Sequence, residues 1–245
     1  MSSRHNPFRY EEHIVAIIDI LGFSSLVEAS NSNPAAFETV KNLLRVDELF
    51  SKFLEFFPSA QGGFFSDTFV LSMRFPSTQT FYVIREIGHL CQYLLMQGLP
   101  CRGAICAGPL YHNGSYVVGP ALVRAHEMEK SKAIYPRVIL DEHVLEHWSQ
   151  DVKEGSSIEL LAPLVKQDSD GQHFIDILSG LYPANFYQWA NFVEGFDPLP
   201  THSVFIARAR QFVSRCLEEH ANNSRVLQKY EWLAAQLESY PYPGR

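Results

Sequence analysis

The chain has 245 residues, 46% of them hydrophobic and 19% charged, with a formal net charge of −7. That length suits one large domain or one domain with an extension, and the acidic balance disfavours a general nucleic-acid-binding surface while leaving room for a local basic pocket. No apolar run approaches the roughly 20 residues needed to cross a bilayer, and residues 1–12 lack the apolar core of a signal peptide, so a cytoplasmic chain free of membrane and nucleic acid is expected.

Residues 13–20 are apolar enough for a buried strand, which ends at Asp19 and breaks at Gly22. A short helix over 23–29 and a longer one over 35–57 follow. The longer one carries Phe37, Val40, Leu43, Leu44, Leu49, Phe50, Phe53 and Leu54 at helical spacing. Pro58 and Gly62-Gly63 open a hairpin of 63–66 and 68–74, with Asp67 at its turn. A helix over 78–96 closes at Gly98 and Pro100, and 101–107 is strand-like. Asn113-Gly114 between apolar pairs predicts a second hairpin. Gly119-Pro120 starts a helix to about Lys132, and 138–140 is a short strand before another helix. This order predicts an α+β fold, a ferredoxin-like βαββαβ core with an extra hairpin. The expected division is a core over 13–150 and an extension over 151–245. The extension would hold an edge hairpin within 155–177 turning at Asp168-Ser169-Asp170-Gly171, then two helices over 202–239.

Cys101 and Cys106 lie five apart on one strand and therefore point to opposite faces, which argues against a shared metal or disulfide; reduced, buried thiols are expected for all four cysteines. His143, Glu146 and His147 share a helix, but their order is not that of a zinc-protease helix, and a solvated helix face is the simpler reading. Asp19 and Asp67 carry more information. A carboxylate at the end of a buried strand is costly unless a charge sits beside it. Two of them on strands that could be neighbours suit divalent cations that hold phosphates. Taken singly, Asp19 also suits a helix cap and Asp67 a turn.

Several segments in register resemble one family. Ile18-Asp19-Ile20-Leu21-Gly22-Phe23-Ser24 is similar to the first-strand motif of class III nucleotide cyclases. Phe65-Ser66-Asp67 sits where that family carries its second metal-binding aspartate. Arg102-Gly103-Ala104-Ile105-Cys106-Ala107-Gly108 resembles its next core strand, and Gly119 with the helix through Ala125 to Glu129 its glycine-led helix. The resemblance covers roughly 13–140. It departs where adenylate and guanylate cyclases carry an asparagine and a transition-state arginine, here Val123 and Glu127, and where an adenine-selecting lysine would fall, here Gly63. Phe65-Ser66-Asp67-Thr68, Arg102-Gly103-Ala104-Ile105 and Lys229-Tyr230-Glu231-Trp232-Leu233 look instead like the pyrimidine cyclases of bacterial Pycsar anti-phage defence.

That resemblance implies a uridylate cyclase making cyclic UMP from UTP, with a cytidylate cyclase as the alternative. It implies two Mn²⁺ or Mg²⁺ ions per site on Asp19, Asp67 and the Ile20 carbonyl. Backbone amides of Leu21, Gly22 and Phe23 would face the triphosphate, with Ser66 nearby, and Arg102, Arg124 or Lys130 would replace the missing arginine. Phe50, Phe64, Phe65 and Tyr116 are candidates to contact the base. The implied assembly is a homodimer with sites between subunits, and the product would act on a cyclic-nucleotide-activated effector. Two further readings stay open: a catalytically silent cyclase-like regulator, motivated by Val123 and Glu127, and a ferredoxin-like interaction domain with no nucleotide site.

Overall fold

A computed structural model describes residues 8–77, 79–153, 164–179 and 200–240; within its helices the side chains of Leu44, Leu49 and Phe53 lie outside that description, as does the predicted segment 155–163. β1 (Glu11–Ile20) leads into α1 (Phe23–Ser30) and α2 (Pro34–Phe56), then the hairpin of β2 (Ala60–Phe65) and β3 (Thr68–Arg74). α3 (Thr80–Met96), β4 (Cys101–Asn113), β5 (Tyr116–Val118), α4 (Pro120–Ser131), β6 (Val138–Leu140) and α5 (Glu142–Lys153) follow. The edge hairpin is β7 (Val165–Gln167) with β8 (His173–Ile175), and α6 (His202–Glu219) and α7 (Ser224–Glu238) complete the described chain.

The strands run β2-β3-β1-β4-β6-β8-β7, with β5 folded back on β4. β1 lies antiparallel between β3 and β4, so the first four strands have the ferredoxin-like arrangement, and the fold is α+β. Alternation along β1 divides the core. Ile14, Ala16, Ile18 and Ile20 face the layer holding α2 and α3. Val15 and Ile17 face α4, together with Ala104, Cys106, Ala121 and Ala125. Asp19 continues the α4-facing series. β1 and β4 approach closely at Gly103, where a Cβ would stand 2.3 Å from the Ile17 carbonyl oxygen.

Several elements run beyond their sequence signals. β4 continues through Gly108-Pro109 to Asn113, because β1 keeps pairing with it as far as Glu11 opposite Leu110 and β5 then pairs with Tyr111 to Asn113. β6 covers only Gly103 to Ile105 of β4, which leaves an open edge around Pro109, the one setting where a sheet tolerates proline. β2 begins at Ala60, opposite Met73. The four cysteines are free and buried, with Cys101 and Cys106 in different core layers. His143 and His147 are not a bare solvated face: both rings meet Phe75 edge-on, at 5.2 and 4.9 Å between centroids.

Arg137 is fully buried and paired with Asp168 and Asp170 of the β7–β8 turn. Its guanidinium packs 5.1 Å from the Tyr135 ring and 5.6 Å from Trp232 on α7. The Trp232 indole donates to Asp168 at 2.6 Å. This latch pins α7 to the β7–β8 turn through Trp232, while its buried Leu233 and Leu237 pack into the core layer that holds α2 and α3.

Candidate active site at the end of β1

The site begins where β1 leaves the sheet. Asp19 pairs in register with Thr68, and the Ile20 N–H donates to the Asp67 carbonyl at 2.9 Å, so both aspartates sit at the same end of adjacent strands. Asp67 is the second residue of a two-residue turn whose first residue, Ser66, has a left-handed φ of 59°, uncommon outside glycine. Gly22 caps α1 at φ 77°, which lets the chain turn from strand to helix within two residues. The Leu21 N–H is already committed to the Pro100 carbonyl at 2.8 Å. Of the three amides expected to face the triphosphate, those of Gly22 and Phe23 are left at the mouth of α1, since a helix's first N–H groups have no partner within it.

Arg102 on β4 lies beneath Asp19, its Nε 3.3 Å from the Asp19 carboxylate, and its other end meets Glu129 of α4 at 2.7 Å. Glu129 is only 4% exposed. Burial pushes the Asp19 carboxyl above the ordinary carboxylate range; Arg102 pulls it back and the Asp67 charge pushes it further up. Glu129 is raised for the same first reason, with Arg102 opposing and Asp19 adding to the rise. Lys229 of α7 stands beside this group, half-buried. Its ammonium is held below the usual lysine range by burial and by the charges of Arg102 and Arg225, against Asp19 and Glu129.

The other residues singled out by sequence are distributed more widely. Arg124 pairs with buried Asp141 at 2.8 Å and does not join the Asp19 group within one chain. Lys130 is exposed on the α4 face that also carries Val123 and Glu127. The structure does not bring Phe50 to the site: it is 4% exposed, in the core against the Phe69 ring, on which Phe64 also stacks. Phe65 and Tyr116 are 86% and 77% exposed, at the β2–β3 turn and on β5. Ile20 is buried at the strand end. Glu129 and Lys229 were not foreseen as members of this group. Glu129 does leave a trace in the sequence, as an acidic residue following the apolar Ala121, Ala125 and Met128 on the buried side of α4.

No family model matches the sequence, and no curated protein does. Among solved structures, the chain is similar to the catalytic core of a rhodopsin-guanylyl cyclase with converted specificity, in complex with ATPalphaS, at 12% identity and TM-score 0.48, over 69% of this chain and 97% of that one. It is similar to the monomeric guanylyl cyclase domain of the RhoGC fusion protein from Blastocladiella emersonii at 13% identity and TM-score 0.46, over 69% and 96% of the two chains. Its similarity to the adenylyl cyclase CyaB from P. aeruginosa is 17% identity and TM-score 0.44, over 68% and 94%.

Proposed function

We propose that the chain is a nucleotide cyclase that converts UTP to 3′,5′-cyclic UMP and pyrophosphate, working in the cytoplasm as a homodimer, with CTP to cyclic CMP as the nearest variant. The observation that carries this reading is the pairing of Asp19 and Asp67 at one end of adjacent strands, beside a glycine-capped helix start. The residues that resemble pyrimidine cyclases support the choice of base and a role as second-messenger source in bacterial antiviral defence, acting through a cyclic-nucleotide-activated effector.

The donor set fits a hard divalent cation. The Asp67 charge raises the cost of ionising Asp19, and with the Ile20 carbonyl the two aspartates offer only oxygen. Asp19, Asp67 and Ile20 would hold Mn²⁺ or Mg²⁺, which when bound acidifies the ribose hydroxyl and neutralises phosphate charge. In the reaction the 3′-oxygen bonds to the α-phosphorus, the α–β anhydride bond breaks, pyrophosphate leaves with the bonding electrons and the hydroxyl proton passes to solvent. The protein's share is positioning and charge. Gly22 and Phe23 amides point toward the phosphates. Arg102 places positive charge beside the reacting centre, and the exposed Phe65 and Tyr116 are available to a base or to a second subunit.

The test is incubation with ATP, GTP, CTP and UTP separately with Mn²⁺ and product identification by mass spectrometry. Cyclic UMP from UTP is expected, falling by about a hundredfold or more in Asp67→Ala. Absence of any cyclic product overturns the reading. One observation favours a second reading, a silent nucleotide-binding regulator: Arg102 already engages Asp19, so a cation would have to share that carboxylate. That reading expects triphosphates to raise the melting temperature without turnover.

A further inference from the structure

α6 and α7 do not merely cover the sheet. Together with the β1–α1 loop they enclose a cleft of about 430 Å³, within the range of small-ligand sites. Leu21, Gly22 and Ser25 line one wall, and Arg215, Glu219 and Lys229 the other. Arg215 and Glu219 face each other at 3.8 Å and are both exposed, so they largely satisfy one another. Lys229 differs. Among the described residues its ammonium has no ion pair within 4.0 Å and no hydrogen bond, although it is half-buried. The two carboxylates near it, Asp19 and Glu129, are already bridged by Arg102. A half-buried cation that feels two arginines, and whose nearby carboxylates are already shared by Arg102, lacks a counter-charge of its own. The cleft it lines opens onto Gly22, where the candidate phosphate amides lie.

We propose that Lys229 is a substrate-binding residue that receives the polyphosphate of a nucleoside triphosphate, so that the C-terminal helical pair forms one wall of the site. This rests on the nucleotide-cyclase reading above. The arrangement places a point charge on a flexible stem opposite backbone amides, a pattern suited to a charged oxygen cluster and not to an apolar ligand. Its location on α7 makes the cleft a joint product of the first and last described elements.

The probe is inorganic tripolyphosphate, titrated calorimetrically into the full chain, wild type and variants, with Mn²⁺ present. Lys229→Gln is expected to weaken binding by about tenfold or more, the loss of one charge-assisted contact. Lys229→Arg, which keeps the charge, is expected to retain most of the affinity. Equal affinity in wild type and Lys229→Gln, or no binding to the wild type, overturns the proposal. Nucleotide turnover separates this from the cyclase reading. If the wild type cyclises a nucleotide and Lys229→Gln leaves KM unchanged, the lysine's role falls and the cyclase stands. If no nucleotide is cyclised while tripolyphosphate binding depends on Lys229, the cyclase falls and the polyphosphate site stands.

Discussion

Asp19 and Glu129 are carboxylates whose surroundings favour the protonated form, chiefly because burial penalises their charge. With folded pKa values above the unfolded ones, the folded chain binds more protons than the unfolded chain between those values. The two groups' contribution to stability is therefore largest below the unfolded carboxylate range and falls as pH rises through the folded values. Glu129→Gln mimics the protonated acid. It is expected to raise the melting temperature at pH 7 to 8 by about 2 °C, a difference that closes as pH drops to the carboxylate range, measured by calorimetry with chelator present. A variant less stable than the wild type at pH 8 would contradict the assignment. Asp19 and Asp67 were legible in the sequence because each ends an apolar run, where a charge is conspicuous. Glu129 left only the trace of an acid on the buried side of α4, and Lys229 left none, because their meaning depends on the charges of Asp19 and Arg102, far away in the chain.

Elements were legible to the extent that their signals were local. The periodicity of α2, the Asn113-Gly114 turn and the Gly119-Pro120 helix start each state their structure within a few residues, and the structure follows them. The length of β4 was hidden, because whether a strand survives Gly108-Pro109 is decided by its partners, here β1 as far as Leu110 and then β5 over Tyr111 to Asn113. Gly103 shows the same dependence. Nothing beside it in sequence requires glycine, yet a Cβ there would meet the Ile17 carbonyl of β1 at 2.3 Å. Gly103→Ala is expected to push β1 and β4 apart and to cost about 1–3 kcal/mol, read as a lower urea midpoint at unchanged slope. A neutral result would mean that the two strands separate freely at that point. Because Asp19 and Arg102 face each other one register position away, the same substitution should also lower turnover.

At the level of the whole molecule, Asp19, Arg102 and Glu129 form one charged group between β1, β4 and α4, while exposed apolar residues are spread over several elements. Phe65, Tyr116 and Val123 are all more than half exposed, on the β2–β3 turn, β5 and α4. Single exposed hydrophobics are ordinary, and under the homodimer proposal these three are offered as part of the subunit contact. Sedimentation is expected to show a concentration-dependent dimer, weakened by Val123→Glu, with turnover per chain falling on dilution. A monomer with undiminished turnover would refute it. Fold class could be read from element order alone, since strand, helix, hairpin, helix and strand admit few arrangements under short, right-handed connections. Subunit pairing could not, because an exposed side chain looks the same in sequence whether water or a second chain covers it.

The Arg137 latch has a consequence for how variation in this protein would be inherited. Lys229 and Trp232 are three residues apart on α7, one turn of helix, and Trp232 is held through Asp168, which Arg137 holds in turn. Sequence positions 137, 168 and 229 therefore form a chain of dependence in which only the last touches the proposed ligand. A screen scored solely on activity would gather Arg137 and Asp168 variants beside those of Lys229 and suggest a larger active site than exists. Thermal denaturation would sort them, because Arg137→Met leaves the half-buried Asp168 without its cation and should cost about 3 kcal/mol, whereas Lys229→Gln should leave the melting temperature nearly unchanged. In genetic terms the two lesions would be indistinguishable by phenotype and opposite in remedy: stabilising substitutions elsewhere in the fold should rescue the first and not the second.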